Sequence, residues 1–285
     1  MTKPSINPIR PQDILLATDL SARADRAEGR AVERAIALGA RLHVVTVVEH
    51  DRKAQSATAG IANPQAIEAD FRRSYGYDLS LEVIVETGKA WPVVIREAIA
   101  HDCALIVLGP ADPCGIQEKL LGSTAERVIH AARMPVLSVR GRARGPYLQV
   151  VVATDFSAHS RHALIAAARV LPEAKFLLLH AYRVPFTGFI SREGHEVEMK
   201  QQAEDELKIF LESLDAEPQL RDRVRAKLIY GSPDEVLGAY VQEHGVELVV
   251  MGTHGTSGAF DKILGGTAER LLSQLPCDVL VSRLP

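Results

Sequence analysis

The chain has little cysteine, few aromatics and almost no net charge. Its three cysteines, Cys103, Cys114 and Cys277, are odd in number and far apart. They form no C-x-x-C, which argues against a disulfide framework and suggests a reducing compartment. Lys and Arg total 33 against 36 Asp and Glu, a net charge of −3. That balance gives no electrostatic case for a nucleic-acid partner. No apolar run approaches a membrane span, and the Pro-containing N-terminus lacks a signal-peptide core, so the expectation is a cytoplasmic protein without a membrane partner. At 285 residues the chain suits two domains of ordinary size.

What the chain does have is a repeat. At an offset of 143, Gly88 falls on Gly231, His101 on His244, Gly109 on Gly252, Gly115 on Gly258, Lys119 on Lys262 and Gly122 on Gly265. Thr124-Ala-Glu-Arg127 falls on Thr267-Ala-Glu-Arg270, and Val136-Leu137 on Val279-Leu280. Upstream the offset is 136, where Ala17-Thr-Asp19-x-Ser21 matches Ala153-Thr-Asp155-x-Ser157. The 7-residue difference implies an insertion in the second copy, placed here around Val184 to His195. Repeats this long are duplicated domains. We divide the chain into units 1–142 and 147–285, with the polar stretch Gly141–Pro146 between them.

Each unit alternates short apolar runs with amphipathic stretches. Strands are expected at Asp13–Thr18, Leu42–Val48, Leu81–Glu86, Ala104–Gly109 and Val136–Arg140. In the second unit they are expected at Gln149–Thr154, Lys175–Tyr182, Val224–Tyr230, Leu248–Gly252 and Val279–Arg283. Runs such as Leu105-Ile-Val-Leu108 do not alternate in polarity, so they read as strands covered on both faces. The expected fold is α/β: two Rossmann-like doubly wound domains, each a five-stranded parallel sheet with helices on both faces. Ligands in such folds lie beyond the carboxyl ends of the strands.

Gly252-Thr-His254-Gly255, nine residues, then Gly265-Gly266-Thr267 occupies that place in the second unit, between an apolar strand and a helix. Glycines there let backbone N–H groups close on a phosphate, and a helix N-terminus adds attraction for the anion. The spacing is neither a Walker A loop nor G-x-G-x-x-G. The bland alternative is a flexible strand–helix connection.

Asp19 and Asp155 double as turn or cap residues. Ser123 with Glu126 reads as a capping box, and Lys119 and Lys262 as solvated loop residues. The apolar segment Val184–Ile190 reads as packing or a lid. His159 and His162 stand three apart on an expected helix, but no Cys, Asp or Glu joins them in a metal motif. We assign no metal ligand.

In this pattern the chain resembles the universal stress protein family in its tandem form. The resemblance implies the strand order 3-2-1-4-5, dimer-like pairing of the two units through their last strands, and an adenine nucleotide as ligand. ATP, ADP and AMP all remain open, with Mg an optional companion and further homodimerisation undecided.

Carried onto this sequence, the resemblance puts Asp155, flanked by Thr154, near the adenine and Ala181 in the base pocket. Gly252, His254, Gly255, Gly265, Gly266 and Thr267 form the phosphate loop. Gly266 departs from the family, which has a Ser or Thr there. The first unit keeps Asp19, Val47 and Gly122-Ser123, but its loop reads Gly109-Pro110-Ala111-Asp112, followed by Pro113. The acid repels phosphate and the prolines lack N–H donors, so this copy is read as degenerate.

The expected function is nucleotide-linked stress response or signalling. A slow ATP hydrolase and a ligand-free scaffold are the alternatives. The enzyme reading lacks a Walker A lysine, a nucleophile elbow and a poised carboxylate pair, and no catalytic residue is assigned.

Overall fold

The computed structural model describes residues 13–48, 63–76, 78–109, 123–183, 192–253 and 266–284. The first half runs β1 (Ile14–Ala17), α1 (Asp25–Leu38), β2 (Leu42–Val48), α2 (Pro64–Tyr75), β3 (Leu81–Thr87), α3 (Ala90–Ala100), β4 (Leu105–Leu108), α4 (Ser123–Ala131) and β5 (Val136–Ser138). The second runs β6 (Gln149–Ala153), α5 (Ala158–Val170), β7 (Lys175–Tyr182), α6 (Arg192–Glu212), α7 (Pro218–Arg221), β8 (Val224–Tyr230), α8 (Pro233–His244), β9 (Leu248–Gly252), α9 (Gly266–Gln274) and β10 (Asp278–Ser282).

Local chemistry sets several of these boundaries. The Asn63 side chain accepts from Gln65 N at 3.0 Å and Pro64 follows at the first helical position, so α2 starts there. Gly39, at φ 61°, ends α1 in the left-handed conformation that costs glycine nothing. All four residues of β4 and all five of β10 are buried, which is why those runs are apolar without alternation.

Within each half the strands pair in parallel, in the orders 3-2-1-4-5 and 10-9-6-7-8. The expected order is therefore present twice. The two sheets are one, because β5 and β10 pair antiparallel, Leu137 opposite Leu280, and make a ten-stranded mixed sheet. On each face a single hydrophobic cluster runs through both halves. One unites Ile14, Leu42 and Ala31 with Val150, Phe176 and Leu164; the other unites Leu15, Val94 and Ile106 with Val249, Leu237 and Leu271.

Polar groups fasten the seam. Asp278, almost fully buried, accepts from Arg140 N at 2.6 Å, Gly141 N at 2.7 Å and the Tyr147 hydroxyl. The Arg30 guanidinium lies 3.7 Å over the Tyr147 ring and donates to Gly145 O at 2.6 Å. Arg34, fully buried, joins Glu33 and Glu173. Burial opposes its charge, but the two carboxylates outweigh that and raise its pKa.

Strand register puts the insertion between β7 and β8, the interval that holds Val184 to His195. From β1 to β2 the paired positions Ile14 and Leu42 are 28 apart, whereas Val150 and Phe176 are 26 apart. From β2 to β3, Leu42 and Leu81 are 39 apart, whereas Phe176 and Val224 are 48 apart. The second copy therefore loses two residues and then gains nine. Part of the gain is helix, α6 having 21 residues against 12 in α2, with α7 between α6 and β8; Val184–Ser191 lie outside the described residues.

Candidate functional site

Register brings the expected site residues onto three neighbouring strands. Val152 lies opposite Val250 and Ala153 opposite Leu179. Thr154 and Asp155 follow directly on β6, Thr154 N donating to Leu179 O at 3.2 Å, while Gly252 is the last residue of β9. Ala181 is still in the ladder, opposite Ile229 of β8. Thr154, Asp155, Ala181 and Gly252 thus gather at the carboxyl ends of β6, β7 and β9, the crevice expected for a doubly wound sheet.

The turn after β6 is held in an unusual shape. Phe156 has φ 60°, a conformation costing a side-chain-bearing residue about 1–2 kcal/mol. Neighbours offset that cost. Thr154 Oγ1 accepts from Phe156 N at 2.9 Å and donates to Ser160 Oγ at 2.9 Å. Asp155 Oδ1 accepts from Ser157 N at 3.1 Å, and Ser157 Oγ accepts from Ser160 N at 3.3 Å. Asp155 therefore supports the turn while Ser157 caps α5.

His180, absent from the sequence-level candidates, is a further prop. Its Nδ1 lies 2.8 Å from Thr154 O, and its ring stacks on Phe156 at 4.4 Å. No spacing rule marks it. The D-x-S element repeated at Asp19 and Asp155 does mark the turn, because Leu20 at φ 58° repeats the strained conformation of Phe156.

Gly252 sits in a tight place. A Cβ there would lie 3.1 Å from the backbone C and O of His159, so a side chain would press β9 against the first turn of α5. Gly266 and Thr267 open α9 and are exposed. Thr267 Oγ1 accepts from Arg270 Nη2 at 3.4 Å, while Arg270 Nε donates to Asp234 Oδ2 at 2.6 Å. A β9–α9–β10 crossover between parallel strands returns the N-terminus of α9 to the same crevice.

His254, Gly255 and Gly265 lie outside the described residues, as do Lys119, Lys262, Asp112, Cys114, the Ser123 side chain and Val184–Ile190. His159 and His162 are joined by no third metal-ligating group among the described residues. The thiols of Cys103 and Cys277 are pushed up to about 12, chiefly by burial. Both are therefore protonated at neutral pH and poor nucleophiles. Among the described residues no helix is long and apolar enough to cross a membrane.

Comparison with known proteins agrees with this architecture. The model of the universal stress protein family matches twice, at residues 11–140 and 146–283. A Coxiella burnetii protein, universal stress protein A homolog 1, is 34% identical over 137 residues, covering 44% of this chain and 94% of its own length. A universal stress protein encoded beside a sulfhydrylase gene in Thermus aquaticus is 30% identical over 137 residues, covering 47% of this chain and 97% of its own. Each relative therefore corresponds to one half of the chain. At full length the fold is that of a universal stress protein from Archaeoglobus fulgidus, with a TM-score of 0.61, 21% identity and 96% of both chains covered. A Pseudomonas aeruginosa PAO1 protein of unknown function gives a TM-score of 0.69 at 17% identity, covering 95% of this chain and 92% of its own. With two matches that together span nearly all of its length, the chain belongs to the universal stress protein family and carries two of its domains in tandem.

Proposed function

We propose that the second unit, residues 147–285, binds an adenine nucleotide and that the first, residues 1–142, does not bind one comparably. Nucleotide binding is typical of the family. The reading rests on Thr154 and Asp155 following β6, Ala181 near the end of β7 and Gly252 at the end of β9, three strands that neighbour one another in the sheet. The base would meet Ala181 and Asp155, and the phosphates would meet the glycine loop, including Gly252, His254, Gly255 and Gly265, with Gly266 and Thr267 at the start of α9.

The small Ala181 side chain leaves room for a flat ring beside β7. A helix start with free N–H groups favours the anion. Such a loop of amides binds ground-state phosphates and transition state alike, so it holds nucleotide without efficient turnover.

Calorimetry of the full chain with ATP, ADP and AMP should show about one site per chain, as one competent loop requires. Two equal sites would defeat the assignment to one half, and no binding by any of the three would leave a scaffold. Hydrolysis at ordinary enzymatic rates of about 1–1000 per second, abolished by a folded Gly255→Asp variant, would replace the binding reading with an ATPase.

A further inference from the structure

We propose that His43, Glu82 and His101 bind one divalent transition-metal ion of the zinc class at the amino-terminal edge of the first-half sheet. This edge is opposite the nucleotide crevice. Each of the three side chains offers a ligand atom, and all three atoms lie within 4.8 Å of one another. His43 and Glu82 are directly opposed residues of β2 and β3, so their side chains share a face. His101 ends α3 on that same face, its ring centroid 4.1 Å from that of His43.

The state of His43 points to a cation. The ring is only 1% exposed. Its Nε2 is 2.9 Å from Asp13 Oδ2, the distance of an imidazole N–H donating to a carboxylate. In the neutral ring that bond leaves a bare lone pair on Nδ1. Nδ1 is buried, 3.2 Å from Glu82 Oε2, yet makes no aligned hydrogen bond. Two lone-pair atoms facing each other at that distance repel unless a positive charge lies between them.

A proton there would draw the pair into an aligned bond. A metal with ligands at about 2.0–2.1 Å would instead hold them near this separation and off the hydrogen-bond axis. The Asp13–His43 pair is then the carboxylate–histidine arrangement that orients a metal-bound imidazole.

The donor set of two imidazoles and one carboxylate suits zinc, and also cobalt and nickel. Glu82 is 44% exposed at the side chain and His101 28%, so the ion has a path from solvent and room for a water as fourth ligand. Arg41 Nη1 stands 3.9 Å from Glu82 Oε2, but its side chain is more than half exposed and free to swing away. The second half has no counterpart. Its matching positions are Gln149, Leu177, Arg225 and His244, and His244 stacks on Tyr240.

The test uses the full chain, stripped of metal with a chelator, and zinc or cobalt alone as the probe. Competition with a chromophoric chelator should give one zinc per chain, and cobalt should produce the visible absorption of a four-coordinate ion. Zinc should also raise the melting temperature of the parent. Glu82→Gln and His101→Ala, at partly exposed positions and checked for folding by circular dichroism, should each weaken zinc about tenfold or more. His244→Ala should leave binding unchanged. Absence of stoichiometric binding would overturn the proposal and leave His43 as an imidazolium between two carboxylates. A bound ion indifferent to both substitutions would overturn it too, by placing the metal elsewhere. Neither result depends on whether nucleotide binds.

Discussion

The turn that follows the first strand is built twice, and the two copies differ in what they touch. Leu20 and Phe156 share one strained backbone conformation, and Thr18 and Thr154 hold it with the same bond to the next turn amide, at 3.0 and 2.9 Å. Beyond the backbone the copies part. Thr18 donates to Glu28 at 3.0 Å, whereas Thr154 donates to Ser160. Among the described residues nothing lies within 4 Å of a Cβ built on Gly109, whereas one built on Gly252 would press against His159. At the other end of the sheet the contrast reverses, with a histidine–carboxylate cluster in the first half and unrelated side chains in the second. A duplicated scaffold here keeps its backbone solution while its side-chain chemistry diverges at opposite ends.

The largest expected effect breaks the seam between the copies. Asp278 has no equivalent in the first half, where Pro135 stands 143 residues earlier. Asp278→Ala leaves Arg140 N, Gly141 N and the Tyr147 hydroxyl without their acceptor, and Arg30 with Glu33 but without the Asp278 carboxylate. Removing one partner of such a buried network costs about 3–5 kcal/mol, which denaturant unfolding of the full chain will measure. A loss under about 1 kcal/mol would show that the apolar β5–β10 pairing suffices.

Next comes the loop itself. Gly255→Asp copies Asp112 into the second half, and nucleotide affinity should fall about 100-fold, or about 2.8 kcal/mol. Unchanged affinity in a folded variant would remove Gly255 from the site.

A paired alanine test sharpens the steric contrast. Gly252→Ala forces β9 away from the first turn of α5 and should cost about 1–3 kcal/mol. Gly109→Ala, with nothing within 4 Å among the described residues, should stay within about 0.5 kcal/mol. Equal costs would erase the distinction drawn between the two glycines.

The smallest effect is a pH dependence confined to the first half. Burial first, and then the nearby Asp25 charge, raise the Glu28 pKa, against a lowering by the Thr18 hydroxyl. The folded state therefore binds a proton more readily than the unfolded one. Stability from this group is full below the ordinary carboxylate range and is lost as pH rises through the elevated folded value. Glu28→Gln should flatten that part of the stability profile, and an unchanged slope would show that Glu28 is not its source.

Much of this was legible in the chain. All ten strands were expected, although the edge strands β3 and β8 are only partly buried, and the pairing of the last strands was implied by the family resemblance. β1 ends at Ala17, one residue before expectation, because the Thr18 hydroxyl takes the amide of Leu20. The interval of the insertion, between β7 and β8, was legible from the offsets, but an offset counts residues and does not reveal that α6 is longer than α2. The candidate crevice was placed at the strand ends because Asp155 and Gly252, like Asp19 and Gly109, directly follow or end apolar runs. The His43 cluster was not, since Asp13, His43, Glu82 and His101 lie on four elements and only strand register unites them. The one histidine pair that helical spacing suggested, His159 and His162, has no third ligand among the described residues.

The unequal halves are tested most directly by photo-crosslinking the full chain with an azido-adenine nucleotide and mapping the labelled peptides. The account predicts adducts at the strand ends of the second half, around Asp155 and Ala181, competed away by unlabelled ATP. Equal competed labelling around Asp19 and Val47 would contradict it.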